Sequence, residues 1–221
     1  MFRAERGAGA GAEATRPPGS RTDRGEATFR LAIAEALWEE MERDERVFLL
    51  SSEPSASAGG GTVGVTRGFA ERFGPDRVLD VPARGDALVG MAMSAAMEGL
   101  RPVVELAFAD VAAGGLDELT TVAGTHHYRT GEPVPLVVRG PSGGGALAGP
   151  FHSQSPEPRL AHAPSLKVLC PAFPSDAKGL LKSAIRDDDP CVFLEHRWLY
   201  RRVREVVPDD QEALVPIGKP T

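Results

Sequence analysis

Apolar residues recur along this chain in two rhythms. Between residues 28 and 41 they return at helical spacing, with Phe29, Ile33, Ala36, Leu37 and Met41 on one face and Thr28 in place as an N-cap. Further on they come as short unbroken runs, at 46–50, 78–81, 102–106, 135–139, 167–170 and 191–194. Runs without alternation suit strands buried on both faces. Helical stretches separate them, at 116–128 and from a cap at Ser175 to Arg186, which three aspartates and Pro190 end. The pattern predicts an α/β fold with a doubly wound, mostly parallel six-stranded sheet and helices on both faces.

One stretch departs from the amphipathic norm. Residues 87–97 (ALVGMAMSAAM) are apolar on every side, and Gly99 stops them. A helix apolar all round has to be buried all round, so this one predicts self-association. Residues 1–27 show no periodicity and read as a disordered arm, 28–204 as the domain, and 205–221 as a linker or tail.

Charge and composition remove several classes. The 25 Lys and Arg residues stand against 31 Asp and Glu, a net charge of −6 with no basic stripe, which argues against nucleic acid. No apolar stretch approaches the roughly 18 residues of a membrane span. The first residues lack the apolar core of a secretory signal, so the expected location is cytoplasmic. Cys170 and Cys191 each flank an apolar run and read as buried free thiols, not a disulfide scaffold.

Candidate chemistry is sparse. The glycine triplets at 59–61 and 143–145 are not followed by the Lys-Ser/Thr of a phosphate loop. Gly140, Ser142 and Gly144 match the spacing of a nucleophile elbow, but the glycines that follow do not supply the helix an elbow needs. The five histidines show no zinc spacing. His152 stands apart, because it lies in a polar loop after a strand, where parallel sheets bind ligands. Asp187, Asp188 and Asp189 crowd carboxylates at the unfavourable end of a helix dipole. They form either a solvated turn or a cation site.

Longer matches then appear. Residues 96–105 (AMEGLRPVVE), 135–145 (PLVVRGPSGGG), 152–155 (HSQS), 176–189 (DAKGLLKSAIRDDD) and 193–196 (FLEH) resemble the pyrimidine-binding domain of the transketolase-like group. They are most similar to the beta subunit of the first component of pyruvate and branched-chain 2-oxoacid dehydrogenases. The resemblance implies thiamine diphosphate as cofactor, with its magnesium held by an alpha-like partner subunit in a heterotetramer. It also implies a further C-terminal domain, absent after Thr221 and expected to be encoded separately or lost, and an acyl carrier as a possible partner.

The same resemblance assigns residues. His152 matches the active-site histidine, and Glu53 matches an acid of the loop after the first strand. Ala83, Gly85, Ala107 and Val111 fall on the wall facing the aminopyrimidine. Ala184, Asp187 and Asp189 fall where the family often binds potassium. In the family a beta-subunit glutamate protonates the aminopyrimidine, and here Gly85 stands at its position, with the adjacent Asp86 as the catalytic candidate that a one-residue slip of the loop would bring into its place. Glycine transfers no proton, and Ala107 and Val111 replace bulky residues. The implied function is a beta-like half of a thiamine-diphosphate enzyme that decarboxylates a 2-oxoacid or transfers an acyl or two-carbon unit. The alternative is a non-catalytic structural or regulatory relative.

Overall fold

The computed structural model describes residues 16–52, 60–61, 63–81, 85–109, 114–145 and 149–219. A short strand, β1 (Glu26–Thr28), runs directly into α1 (Phe29–Arg43). The expected cap is in place: the Thr28 hydroxyl accepts from the Leu31 amide at 3.2 Å. Phe29, Ile33, Ala36, Leu37 and Met41 are all buried, as their spacing requires.

β2 (Val47–Ser51) follows, then α2 (Phe69–Phe73), β3 (Val78–Asp80), α3 (Gly85–Met97) and β4 (Arg101–Glu105). Helical turns resume before a π-helical segment at Glu118–Ala123, which continues as α4 (Gly124–Thr130). β5 (Val137–Ser142), α5 (Glu157–Ala161), β6 (Lys167–Leu169), α6 (Pro174–Arg186), β7 (Cys191–His196), α7 (Leu199–Arg202) and β8 (Arg204–Val206) complete the order.

Six strands form one sheet in the order β3-β2-β4-β5-β7-β6, with every neighbouring pair parallel. The expected doubly wound sheet is therefore present. Alternate strand residues feed two cores. Val47, Leu49, Val103, Val137 and Phe193 pack with α1 and α6, while Val104, Val138, Val192 and Leu194 pack with α3 and the π-helical segment. The chain passes from β2 outward to β3 and then returns across β2 to β4. In parallel sheets, such a reversal marks the carboxyl edge where ligands bind.

The flanks depart from the expected arm and tail. β1 pairs antiparallel with β8, and Arg21 donates to Glu35 at 2.8 and 2.5 Å and to the Val207 carbonyl at 2.7 Å. Order thus begins before Thr28. The segment after β8 crosses α6, where Ser183 donates to the Val215 carbonyl at 2.7 Å and Lys182 to the Gln211 carbonyl. These contacts join charges far apart in sequence, so no local pattern announces them. α6 also starts two residues earlier than a cap at Ser175 implies, at Pro174 with Phe173 as its N-cap. Ser175 does not cap it; its amide and hydroxyl bond the Glu205 carboxylate at 3.0 and 2.7 Å.

α3 is buried on one side only. Leu88, Val89, Ala92 and Ala96 face the core, whereas Met91 and Met97 are 49% and 37% exposed. The all-apolar helix is therefore half covered by its own chain. Cys191 is buried, but Cys170 is exposed, a correction to the expectation for both thiols. Burial pushes the Cys191 thiol up to about 12, and although Cys170 is exposed, partial desolvation by its neighbours and the nearby Glu157 hold its thiol above the ordinary value, so neither is poised as a nucleophile. No helix among the described residues is long and apolar enough to cross a membrane.

Candidate active site

Three apolar strands each carry a buried charge, and the sheet brings those charges together. Glu105 closes β4, Arg139 lies in β5 and Glu195 in β7. Arg139 Nε and Nη2 donate to the two Glu195 oxygens at 2.6 and 2.8 Å, and Nη1 donates to Glu105 at 2.5 Å. The Tyr200 hydroxyl donates to Glu195 at 2.5 Å, and Thr66 bonds Glu105. Burial pushes the Glu105 carboxyl up against the pull of Arg139. Burial also works against the Arg139 charge, but Glu195 and Glu105 outweigh it and hold the guanidinium protonated. Burial and then Glu195 raise the Tyr200 phenol well above its ordinary value. The group is a frame: it ties β4, β5, β7 and α7 at the carboxyl edge.

The loops above the frame make the site. The segment leaving β4 presents Phe108, whose ring stacks on His152 with centroids 3.9 Å apart and planes at 19°. Phe151 meets the same imidazole edge-on at 4.7 Å. The Arg197 guanidinium lies 4.7 Å from the Phe108 centroid, and its Nη1 is buried with no hydrogen-bond partner. Glycine makes two close approaches feasible. A Cβ at Gly143 would stand 2.6 Å from His196 Nε2, and one at Gly115 would stand 2.9 Å from the Gly85 carbonyl. The segment after β4 thus touches the His152 loop at Phe108 and the start of α3 at Gly115. A cavity of about 380 Å³ lies alongside, between Ser142, Cys170, Leu194, His196 and Trp198.

The expected site residues sort as follows. His152 is half-buried in a 3₁₀ turn, Phe151–Ser153, and is held by aromatic stacking. Gly85 is buried at the first residue of α3 and offers no side chain. Asp86 turns its Oδ1 to its own helix, accepting from the Ala87 amide at 2.9 Å. Ala107 is half-buried. Glu53, Ala83 and Val111 lie outside the described residues. Ser142 ends β5 and leads into a turn, with Gly143 at φ +78°, so no nucleophile elbow forms.

The premise for a cation at the aspartate turn does not hold. Lys167 Nζ donates to both Asp187 oxygens at 2.7 Å and lies 3.0 Å from Asp189. His127 Nδ1 bonds Asp189 at 2.7 Å, and Asp188 pairs with Arg101 at 2.8 Å. The Ala184 carbonyl accepts from the Asp187 amide at 3.3 Å. Lys167 already supplies the charge that crowding would ask of potassium. Among the described residues no group of three or more His, Cys, Asp and Glu could hold a metal ion.

Phe108, Arg197 and the Arg139 frame were missed by sequence reasoning. The available signal was a lone charge closing each of three neighbouring apolar runs, since such a residue has to meet a partner where the strands end.

Known proteins are similar to this chain in sequence and fold. Residues 25–203 match the family model "Transketolase, pyrimidine binding domain". The chain is 44% identical over 190 residues to the 2-oxoisovalerate dehydrogenase subunit beta of Bacillus subtilis, covering 85% of this chain and 57% of that protein. It is 40% identical over 196 residues to the human mitochondrial pyruvate dehydrogenase E1 component subunit beta, covering 87% and 54%. The chain therefore spans just over half the length of the curated relatives it matches. A split gene transketolase, solved as an inactive beta4 tetramer, shares the fold with a TM-score of 0.60 at 21% identity over 76% of this chain and 50% of that one. Sheet order and a match across nearly the whole described region agree: the chain belongs to the transketolase pyrimidine-binding domain family.

Proposed function

We propose that this chain is the beta-like part of a thiamine-diphosphate-dependent 2-oxoacid dehydrogenase and completes an active site with an alpha-like partner. The carrying observation is His152 stacked on Phe108 beyond the carboxyl ends of the strands, beside a rigid charged frame. Its residues hold and orient: Arg139 fixes the strand ends, Phe108 fixes the imidazole plane, and the glycines let the loops close in. His152 stands on the substrate side. Thiamine diphosphate would supply the carbanion chemistry of 2-oxoacid decarboxylation, and the partner would hold its diphosphate and magnesium. The exposed face of α3, with Met91 and Met97, is the surface for self-association.

The described residues do not fit one part of that chemistry. A proton donor to the aminopyrimidine needs a carboxylic acid in a dry pocket. At that position Gly85 has no side chain, and the Asp86 carboxylate serves its own helix. No proton step is therefore assigned to the described residues. This observation also favours a second reading, a non-catalytic subunit that keeps the fold and its partner contacts.

Co-purification with an alpha-like subunit and calorimetric titration of thiamine diphosphate with magnesium separates the two. The enzyme reading expects saturable binding in the complex. It also expects Gly85→Glu to speed exchange of the thiazolium proton, on the order of 10²–10⁴-fold for a positioned acid. A complex that binds no cofactor, before or after Gly85→Glu, leaves the structural reading.

A further inference from the structure

Four arginines open into one cavity near the amino end of α1. Arg30 comes from α1, Arg67 from the loop before α2, Arg201 from α7 and Arg204 from β8; with Thr28 and Gly64 they line a volume of about 490 Å³. Arg30 donates to the Gly64 carbonyl at 2.5 Å. Among the described residues no carboxylate forms an ion pair with any of the four.

The molecule carries 31 acidic residues against 25 basic ones, and several of its surface arginines find them: Arg46 pairs with Asp44 at 2.8 Å, Arg72 with Glu42 at 3.0 Å and Arg101 with Asp188 at 2.8 Å. The four converge from separate elements without neutralisation. Burial and the neighbouring guanidiniums of Arg201 and Arg67 lower the pKa of Arg30. A bound anion would remove that repulsion. The first turn of α1 also has no acidic residue, so its dipole adds to the positive field.

The shape and donor geometry select the anion. Guanidinium forks match phosphate oxygens two at a time. A concave site of this volume falls in the range of roughly 300–1,000 Å³ that takes small ligands, whereas an acidic protein surface would call for an open patch. We propose that the cavity binds the phosphoryl group of a small molecule, or free phosphate, through Arg30, Arg67, Arg201 and Arg204. The site is independent of the cofactor reading. It sits beside the buried frame in sequence: Arg67 follows Thr66, which bonds Glu105, and Arg201 follows Tyr200, which bonds Glu195.

The test titrates the full chain by calorimetry with inorganic phosphate, pyrophosphate and a phosphomonoester, at constant ionic strength set with chloride. Saturable one-site binding and a raised melting temperature are expected. Tighter binding of the phosphomonoester than of phosphate would identify a phosphorylated metabolite, and the reverse the free ion. Arg67→Gln with Arg201→Gln should weaken binding about tenfold or more, the loss of charge-assisted hydrogen bonds. Arg67→Lys with Arg201→Lys keeps the charge, preserves the fold and should still lose most of the affinity, because the fork is gone. No saturable binding by any probe, or unchanged binding in both double variants, overturns the proposal. So does a polyglutamate peptide that binds where the phosphate probes do not, since that assigns the arginines to an acidic protein.

Discussion

Arg139 and the group formed by Arg30, Arg67, Arg201 and Arg204 obey opposite rules. Arg139 is 1% exposed and meets two carboxylates with three of its nitrogens. The outer four meet each other, a backbone carbonyl and solvent. Inside, a charge persists only when every donor is matched, because an unpaired buried ion costs several kcal/mol. Outside, water screens the repulsion, so a cluster without acids can be kept for a ligand. Full pairing marks structure, and the unpaired cluster marks capacity to bind.

Breaking the inner pairing should have the largest effect. Arg139→Met leaves Glu105 and Glu195 facing each other without a counter-charge, so unfolding stability should fall by about 3–5 kcal/mol, the usual result of removing one partner of a buried pair. Chemical denaturation measures it. Adding Glu105→Gln and Glu195→Gln should recover much of the loss, since the isolated charges are then gone. A single variant as stable as the parent chain would mean that the frame holds nothing together.

The sequence made the inner region partly visible and the outer region not at all. Each strand showed as an apolar run, so the sheet and the locations of α1, α3 and α6 could be read directly. Parallel pairing also brings strand ends to one edge, which made His152 conspicuous in its loop. Pairing across the sheet was less legible, since which of Glu105, Arg139 and Glu195 meet depends on the strand order. The arginine cavity gathers residues from positions 30, 67, 201 and 204, and no local spacing links them. The docked flanks were missed for a similar reason: Arg21 and Glu35 look like ordinary surface charges until the chain folds back. The aspartate turn was seen as crowded because Lys167 lies 20 residues away in sequence.

That turn lies between the two extremes and sharpens the contrast. Lys167 is one-third exposed and paired with Asp187 and Asp189. Burial works to raise the Asp189 carboxyl, but hydrogen bonds from His127 and Lys167 outweigh it and hold it below its ordinary value. A depressed carboxylate stabilises the fold above its unfolded pKa, near ~4, and loses that contribution as pH falls through the folded value. Melting temperature should therefore fall on acidification below about pH 4. Lys167→Met should cost about 0.5–1 kcal/mol at neutral pH, as partly exposed pairs do, and flatten that acid dependence. An acid profile unchanged by Lys167→Met would show that Lys167 does not set the Asp189 charge.

The smallest effect carries the opposite sign. In buffer free of multivalent anions, Arg201 repels Arg30 and has no acidic partner among the described residues. Arg201→Gln should then leave stability unchanged or raise it by up to about 0.5 kcal/mol, the scale of exposed charge interactions. The gain should shrink as sodium chloride rises, because the Debye length falls from about 10 Å at 0.1 M to about 3 Å at 1 M. Adding pyrophosphate should reverse the order, since the parent chain gains binding energy that the variant lacks. Melting curves of both proteins at low salt, high salt and saturating pyrophosphate read all three terms. A variant less stable than the parent at low salt without pyrophosphate would mean that Arg201 is paired in solution. The cluster would then be an extension of the frame around Arg139, and the contrast between paired and unpaired arginines would not stand.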